Sequence, residues 1–369
     1  MTDATSTPTV ALRSAYRDIP LYGGGDPVAV AIDLSDNTNQ WGVPPAAARA
    51  LAQLSPDVAA RYPQAYAPGL ARAIAEYVDV SPEMVMTGCG SDQVLDCAFR
   101  ALAEPGSRVA YLDPSFVIVP SFARANSLEP VSVPWMLAGG PDEPELTVDA
   151  DAVLATGARI IYLCSPNNPT GTVIPPALIE RIVAGARGLV IVDEAYAEFS
   201  EWSAVSLLGS ASNLIVTRTF SKAFGLAGLR IGYALGNPVL IRECAKARGP
   251  FALTGSAEPA AVAALRHDLP WVREHVALAI ESRERLAAAL RAAGGYRVYQ
   301  SGGNFLLVAP DESRLPAAMT IARDLRTAGI AVRAFRNLPG IGGALRITVA
   351  PWDVMEQCLA ALPRPDSSS

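Results

Sequence analysis

Lys222 stands in the segment 216–230 (VTRTFSKAFGLAGLR), where small and apolar residues surround a primary amine. Desolvation penalises the ammonium form, so a lysine in this setting has a depressed pKa and can act as a nucleophilic amine toward a carbonyl. Arginine cannot replace it, because a guanidinium does not deprotonate. The chain otherwise avoids lysine: of 30 basic residues 28 are arginine, and the other lysine is Lys246. Thr219 and Ser221 set hydroxyls beside the amine and Arg230 adds a forked donor, a combination that suits a phosphate.

Three further segments carry polar groups with chemical potential. Residues 88–93 (GCGSDQ) lead into an apolar-periodic helix at 94–102. A glycine-rich turn at a helix start offers free N–H groups and the positive end of the helix dipole to an anion, although Ser91 or Asp92 could equally be an N-cap. The apolar run 188–193 (GLVIVD) ends in Asp193, followed by Glu194, Ala195 and Tyr196. A carboxylate at the C-terminal end of a buried parallel strand lies where α/β folds bind ligands; a helix cap or solvated turn is the other reading. Residues 165–171 (SPNNPTG) are dense in turn formers and alone read as a loop. Taken together, these segments supply a Schiff-base lysine, a carboxylate for a pyridine nitrogen, donors for a phenolic oxygen and a phosphate cup. That is the requirement of pyridoxal phosphate.

The elements that must hold these groups can be read from the same rows. Short, almost continuously apolar strands are predicted at 107–112, 158–164, 188–193 and 213–217, with a helix at 176–187 among them. Strands of this kind are buried on both faces, and their alternation with helices argues for an α/β domain with a mostly parallel sheet. Beyond about residue 255 the pattern changes to long helices (257–267 and 271–293) and two short strands (305–308 and 345–349), a smaller α+β domain. The expected division is an N-terminal arm, 1–45, packing with the small domain, a large domain, 46–250, and a small C-terminal domain, 251–369.

Composition narrows the function. Of 369 residues 50% are hydrophobic and 18% charged, so the chain can bury a sizeable core and is not a disordered polymer. A net charge of -6 argues against nucleic acid or an anionic membrane as partner. No apolar run reaches the length of a spanning helix, and residues 1–10 lack the layout of a signal peptide. Five scattered cysteines without a CxxC suit reduced thiols and a cytoplasmic location. Two histidines, His267 and His275, nearly exclude a multi-histidine metal site.

The motifs at 219–230, 165–171 and 192–196 resemble those of the fold-type I aminotransferases, specifically the histidinol-phosphate aminotransferase group, and the resemblance spans about 22–352. It implies pyridoxal phosphate as cofactor and Lys222 as both Schiff-base lysine and proton shuttle. It further implies that Asp193 pairs with the ring nitrogen and that Asn168 and Tyr196 bond the phenolic oxygen. The phosphate would be held by the backbone of Ser91 and Asp92 and the side chains of Thr219, Ser221 and Arg230, with Phe116 stacked on the ring. Tyr62 would reach the cofactor phosphate of a partner subunit, giving a homodimer with shared sites. Arg346 and Arg333 match arginines that take the substrate's anionic end, and Tyr22 and Asn37 fall on the substrate side.

Departures from the group's pattern cluster at that side. Its Asn-Glu-Asn-Pro stretch corresponds here to Asn37-Thr38-Asn39-Gln40, followed by Trp41, and Cys89 replaces an asparagine between two glycines. The expected reaction is transfer of an amino group from histidinol phosphate to 2-oxoglutarate. An aromatic amino-acid aminotransferase, a threonine-phosphate decarboxylase and a tailoring enzyme of secondary metabolism are the alternatives on the same scaffold. A non-catalytic regulator would need an added DNA-binding domain.

Overall fold

The computed structural model describes residues 13–17, 19–21, 30–140 and 144–365. Fourteen strands occur among them: β1 (Ile32–Leu34), β2 (Val85–Cys89), β3 (Arg108–Asp113), β4 (Glu129–Pro134), β5 (Met136–Gly139), β6 (Pro144–Thr147), β7 (Ile160–Cys164), β8 (Leu189–Asp193), β9 (Leu214–Thr219), β10 (Ile231–Gly236), β11 (Tyr296–Val298), β12 (Phe305–Pro310), β13 (Ile330–Leu338) and β14 (Gly342–Thr348). A seven-stranded sheet has the order β2-β10-β9-β8-β7-β3-β4. All its pairings are parallel except those of β10, which runs against both β2 and β9. The expected α/β class with a mostly parallel sheet is what the chain adopts.

Period-two alternation places the strand side chains in two layers. Ile160, Tyr162 and Cys164 of β7 and Ile191 of β8 join Val94, Leu95 and Phe99 of the helix Gly90–Leu102 on one side. Ile161, Leu163, Val190 and Val192 face Ile179 and Ile182 of the helix Pro176–Gly185 on the other. Strands β7, β8 and β9 are buried at every position. Burying each large aliphatic side chain contributes about 1.5–3 kcal/mol, which is why these runs carry no alternation of polarity.

A second sheet has the order β1-β13-β14-β12-β11. In it β1 pairs in parallel with β13, Ile32 opposite Ile330, so the segment at 32–34 is sewn to strands near the C-terminal end of the chain. The helix Pro45–Ala52 has no side-chain cap of its own. Its first N–H groups are met instead by the buried carboxylate of Asp268, which accepts from Ala46 at 2.8 Å and Ala47 at 3.1 Å. The helix Ala257–His267 packs on Pro45–Ala52 and on Pro68–Val78, and the 25-residue helix Leu269–Ala293 then leads to β11. No helix among the described residues is long and apolar enough to cross a membrane.

Strands β2 and β10 complete the large sheet although the sequence pattern did not mark them. β10 carries Gly232 opposite Gly88 of β2, and a Cβ on Gly232 would come within 2.2 Å of the Ser91 nitrogen. Glycine is demanded there by the close approach of two backbones, and it erases the apolar signal of a strand.

Candidate active site

The parallel strands deliver their C-terminal ends to one edge of the large sheet. Asp193 ends β8, Cys164 ends β7, Thr219 ends β9, and β2 passes directly into the helix Gly90–Leu102. A cavity opens there, lined by Ser91, Asp92, Phe116, Cys164, Asn168, Asp193, Ala195, Tyr196, Thr219, Ser221, Lys222 and Arg230. Ten residues predicted for cofactor binding therefore meet in one place, and Cys164 and Ala195 join them.

One end of the cavity is rich in donors. Ser91 and Asp92 lie inside the first turn of Gly90–Leu102, and Cys89 supplies no side-chain cap. The capping alternative for these two residues is thereby replaced by an open helix start. The hydroxyls of Thr219 and Ser221 are 2.9 Å apart, and the Ser221 N–H donates to Thr219 Oγ1 at 3.1 Å. Arg230 takes a left-handed backbone conformation with φ 53°, a conformation that costs energy outside glycine and collects at functional sites. Its Nη2 donates to Asp92 Oδ2 at 3.1 Å.

The other end holds the carboxylate of Asp193, only 2% exposed. The Tyr162 hydroxyl donates to its Oδ2 at 2.7 Å and the Ala195 N–H to its Oδ1 at 3.2 Å. Burial pushes its pKa up to about 6, against the pull of the Tyr162 hydrogen bond. Tyr162, given no role by the sequence beyond its place in the apolar run 158–164, anchors the acid. The available signal was its place on the same face of β7 as Cys164, whose register partner is Asp193.

Between the two ends the Lys222 amine donates to the Asp36 carbonyl at 3.0 Å and lies 5.9 Å from the centre of the Tyr196 ring. Desolvation first, and the Arg346 guanidinium second, lower its pKa to about 8. The sequence expectation of a depressed lysine thus has a defined cause.

The segment around Asn37 closes the cavity from the small-sheet side. Asn37, left-handed with φ 54°, donates through Nδ2 to the Tyr196 hydroxyl at 2.8 Å, and its backbone N–H donates to Thr348 Oγ1 at 2.9 Å. Asn39 Nδ2 donates to the Ala223 carbonyl at 2.9 Å. A Cβ on Gly225 would lie 2.3 Å from the Gly42 carbonyl oxygen, so the two loops touch backbone to backbone. The positions that depart from the family pattern bond to each other, Gln40 Nε2 donating to Thr38 Oγ1 at 2.9 Å. Trp41 packs on the main core cluster.

Arg346 donates through Nη1 to Asn168 Oδ1 at 2.6 Å and through Nη2 to the Ser35 carbonyl. Arg333 is its register partner across β13 and β14, so both side chains leave the same face of that sheet. Neither arginine lines the cavity described above, nor does Asn37; they stand beside it. Tyr62 lies apart, 83% exposed and stacked on Phe251 with ring centres 4.8 Å apart. Tyr22 falls outside the described residues.

The donor set fits pyridoxal phosphate. It combines a donor-rich end, a buried anion at the opposite end and an amine of lowered pKa between them, in a cavity flanked by the Phe116 ring.

Comparison with known proteins agrees. The chain is 38% identical over 348 residues to the histidinol-phosphate aminotransferase of Roseiflexus castenholzii, covering 93% of this chain and 90% of that one. It is 35% identical over 303 residues to the enzyme of the same name from Caldanaerobacter subterraneus, covering 82% and 83%. The crystal structure of histidinol-phosphate aminotransferase from Sinorhizobium meliloti in complex with pyridoxal-5'-phosphate superposes with a TM-score of 0.78 at 26% identity, covering 91% of this chain and 90% of that one. The family model described as aminotransferase class I and II matches residues 29–362. With the lysine, the buried acid and the open helix start gathered in one cavity of this fold, the chain belongs to the class I and II aminotransferases, enzymes that carry amino groups on pyridoxal phosphate.

Proposed function

We propose that the chain moves the amino group of histidinol phosphate to 2-oxoglutarate, giving imidazole acetol phosphate and glutamate. The observation that carries the reading is the Lys222 amine, lowered to about 8, in one cavity with the buried Asp193 carboxylate. The substrate assignment draws on relatives named for this reaction at 38% and 35% identity.

Bound pyridoxal phosphate would supply an aldehyde that condenses with amines and a ring that withdraws electrons from the substrate α-carbon. Thr219, Ser221, Arg230 and the N–H groups of Ser91 and Asp92 would hold its phosphate, and Asp193 its ring nitrogen. Tyr196 and Asn168 would face its phenolic oxygen, and Phe116 would lie against the ring. Lys222 Nζ, neutral in part of the population near neutral pH, would take the proton from the substrate α-carbon and deliver it to the cofactor's C4′ carbon, and would carry it the other way with the keto acceptor. Arg346 and Arg333 would bind the anionic end of either substrate, the phosphate of one and a carboxylate of the other. Like charges directly opposed on a sheet repel, and an anion between them offsets that cost. Asn37, and Tyr22 by resemblance, would complete the substrate side.

We further propose a homodimer in which Tyr62 of each subunit serves the other's site. An exposed aromatic surface at Tyr62, Tyr66 and Phe251 supports it. The unpaired cysteines are compatible with a cytoplasmic enzyme. Of the expected parts, the arm 1–45 joins the small sheet through β1, and the helix Ala257–His267 packs on the helices of 46–250. We therefore place the hand-over between large and small bodies in the helix Leu269–Ala293, somewhat beyond residue 251.

A half-reaction screen tests the function. Holoenzyme is mixed separately with histidinol phosphate, glutamate, phenylalanine, tyrosine and threonine phosphate, and loss of its visible absorbance is followed. Rapid loss with histidinol phosphate and glutamate is expected. Faster reaction with an aromatic amino acid, or gas release from threonine phosphate, overturns the substrate assignment.

A further inference from the structure

Tyr162 lies in the middle of β7, in a run (IIYLC) buried at every position, and is itself 0% exposed. Its ring packs with the apolar cluster of Ile160, Ile191 and Phe99. Phenylalanine would fill that space without the cost of burying a hydroxyl, so the hydroxyl must be offset by what it bonds. It donates to Asp193 Oδ2 at 2.7 Å, and the N–H of Ala195 takes Oδ1 at 3.2 Å. These two donors fix the rotation of a carboxylate that borders the cavity.

We propose that Tyr162 is a positioning residue of the transamination centre, holding the Asp193 carboxylate ionised and turned toward the ring nitrogen of the cofactor. The inference rests on the reading of Asp193 given above. Burial makes the charged form of Asp193 costly, and the Tyr162 hydroxyl is the strongest influence in the opposite direction, followed by Thr217 on β9. Asp92, at the start of the helix Gly90–Leu102, adds a like charge that disfavours ionisation. Burial holds the other hydroxyl and thiol groups near Asp193 in their neutral forms: Cys164 on β7, Tyr196 beyond β8, and Tyr162 itself. Tyr162 therefore stays a donor throughout the pH range in which Asp193 titrates.

The test uses pyridoxamine phosphate, which binds without bonding to Lys222, and measures its affinity for the full chain from about pH 5 to about pH 8. Protonating Asp193 removes the anion opposite the ring nitrogen, so affinity falls as pH drops through its pKa. Tyr162→Phe removes a hydrogen bond to a buried charge, and roughly a tenfold to hundredfold loss of affinity is expected near pH 6. Its low-pH limb should move upward by about one pH unit, since the charged form loses a donor. A fluorotyrosine at 162, a more acidic donor of nearly the same shape, should move the limb downward. A Tyr162→Phe profile that superimposes on wild type, or one lowered equally at every pH, overturns the inference. Asp193→Asn separates the two levels: if it lowers affinity while Tyr162→Phe does not, Tyr162 alone is dismissed. If Asp193→Asn binds like wild type, the reading of Asp193 falls and takes the inference with it.

Discussion

The acidity of Lys222 sets a measurable pH dependence on how fast the cofactor-free chain captures pyridoxal phosphate. Its pKa is lowered from 10.5 to about 8, by desolvation first and by the Arg346 cation second. At pH 7 such an amine is neutral in about 9% of molecules, against about 0.03% for an ordinary lysine, a gain of roughly 300-fold in attacking species. The neutral amine is the form that attacks the aldehyde. Capture should therefore rise about tenfold per pH unit on the acid side and level off above about pH 8. Stopped-flow absorbance at a fixed concentration of pyridoxal phosphate, from about pH 6 to about pH 10, reads this curve directly. Arg346→Ala removes the second cause of the shift, so its plateau should begin at higher pH and its rate at pH 7 should fall severalfold. A wild-type rate still climbing tenfold per unit through pH 10 would refute the reasoning, since that is the behaviour of a solvated lysine. An Arg346→Ala curve lying on the wild-type curve would leave desolvation as the whole cause.

Other perturbations probe the remaining parts of the site. Lys222→Ala should abolish the visible absorbance of the purified holoenzyme; an unchanged spectrum would dismiss Lys222 as the cofactor-bound residue. Arg346→Ala should also raise KM for glutamate about tenfold to hundredfold through loss of a forked, charge-assisted contact, and a wild-type KM would remove it from the substrate site. Arg218→Leu leaves Glu194, bonded to Arg218 at 2.9 Å, and the neighbouring buried Glu198 without their cation. Unfolding free energy from urea titration should fall by about 3–5 kcal/mol at neutral pH. Burial holds the Glu198 carboxyl above its ordinary pKa and the Arg218 cation opposes that, so without Arg218 its folded value rises further and the loss should shrink as the pH is lowered through it; a loss below about 1 kcal/mol would contradict this. Mixing inactive Tyr62→Ala and Lys222→Ala chains should restore activity in hybrid dimers, each supplying what the other lacks, and failure to complement would exclude a shared site.

The legible part of the molecule was the part with either high local density or a rare residue type. Strands β7, β8 and β9 are buried on both faces, so they show as apolar runs, and the observed elements begin or end within two residues of the expected ones. Lys222 was conspicuous because the chain writes arginine nearly everywhere else. What escaped notice depends on contacts between distant segments. Tyr162 has the composition of core and becomes part of the site only through the pairing of Cys164 with Asp193. The Lys222 amine is met by a main-chain carbonyl of Asp36, 186 positions away, and a carbonyl carries no residue signature. Asp268 caps the helix Pro45–Ala52 from 222 residues downstream, beyond the reach of any capping-box pattern.

The seam between 36–42 and 222–225 constrains how this enzyme can change its diet. Three links cross it: the Asp36 carbonyl to Lys222, the Asn39 amide to Ala223, and the backbone contact of Gly42 with Gly225. Two of the three use only main-chain atoms on the 36–42 side. The side chains of Thr38 and Gln40 bond to each other and to the Asp33 carbonyl of β1, and neither of these bonds crosses the seam, so they can be rewritten without breaking these three links. Asn37 and Asn39 cannot be rewritten so freely, since their side chains reach Tyr196 and the lysine loop. New specificity selected at positions 38 and 40 would thus cost little turnover, whereas selection at 37 and 39 would trade chemistry for recognition.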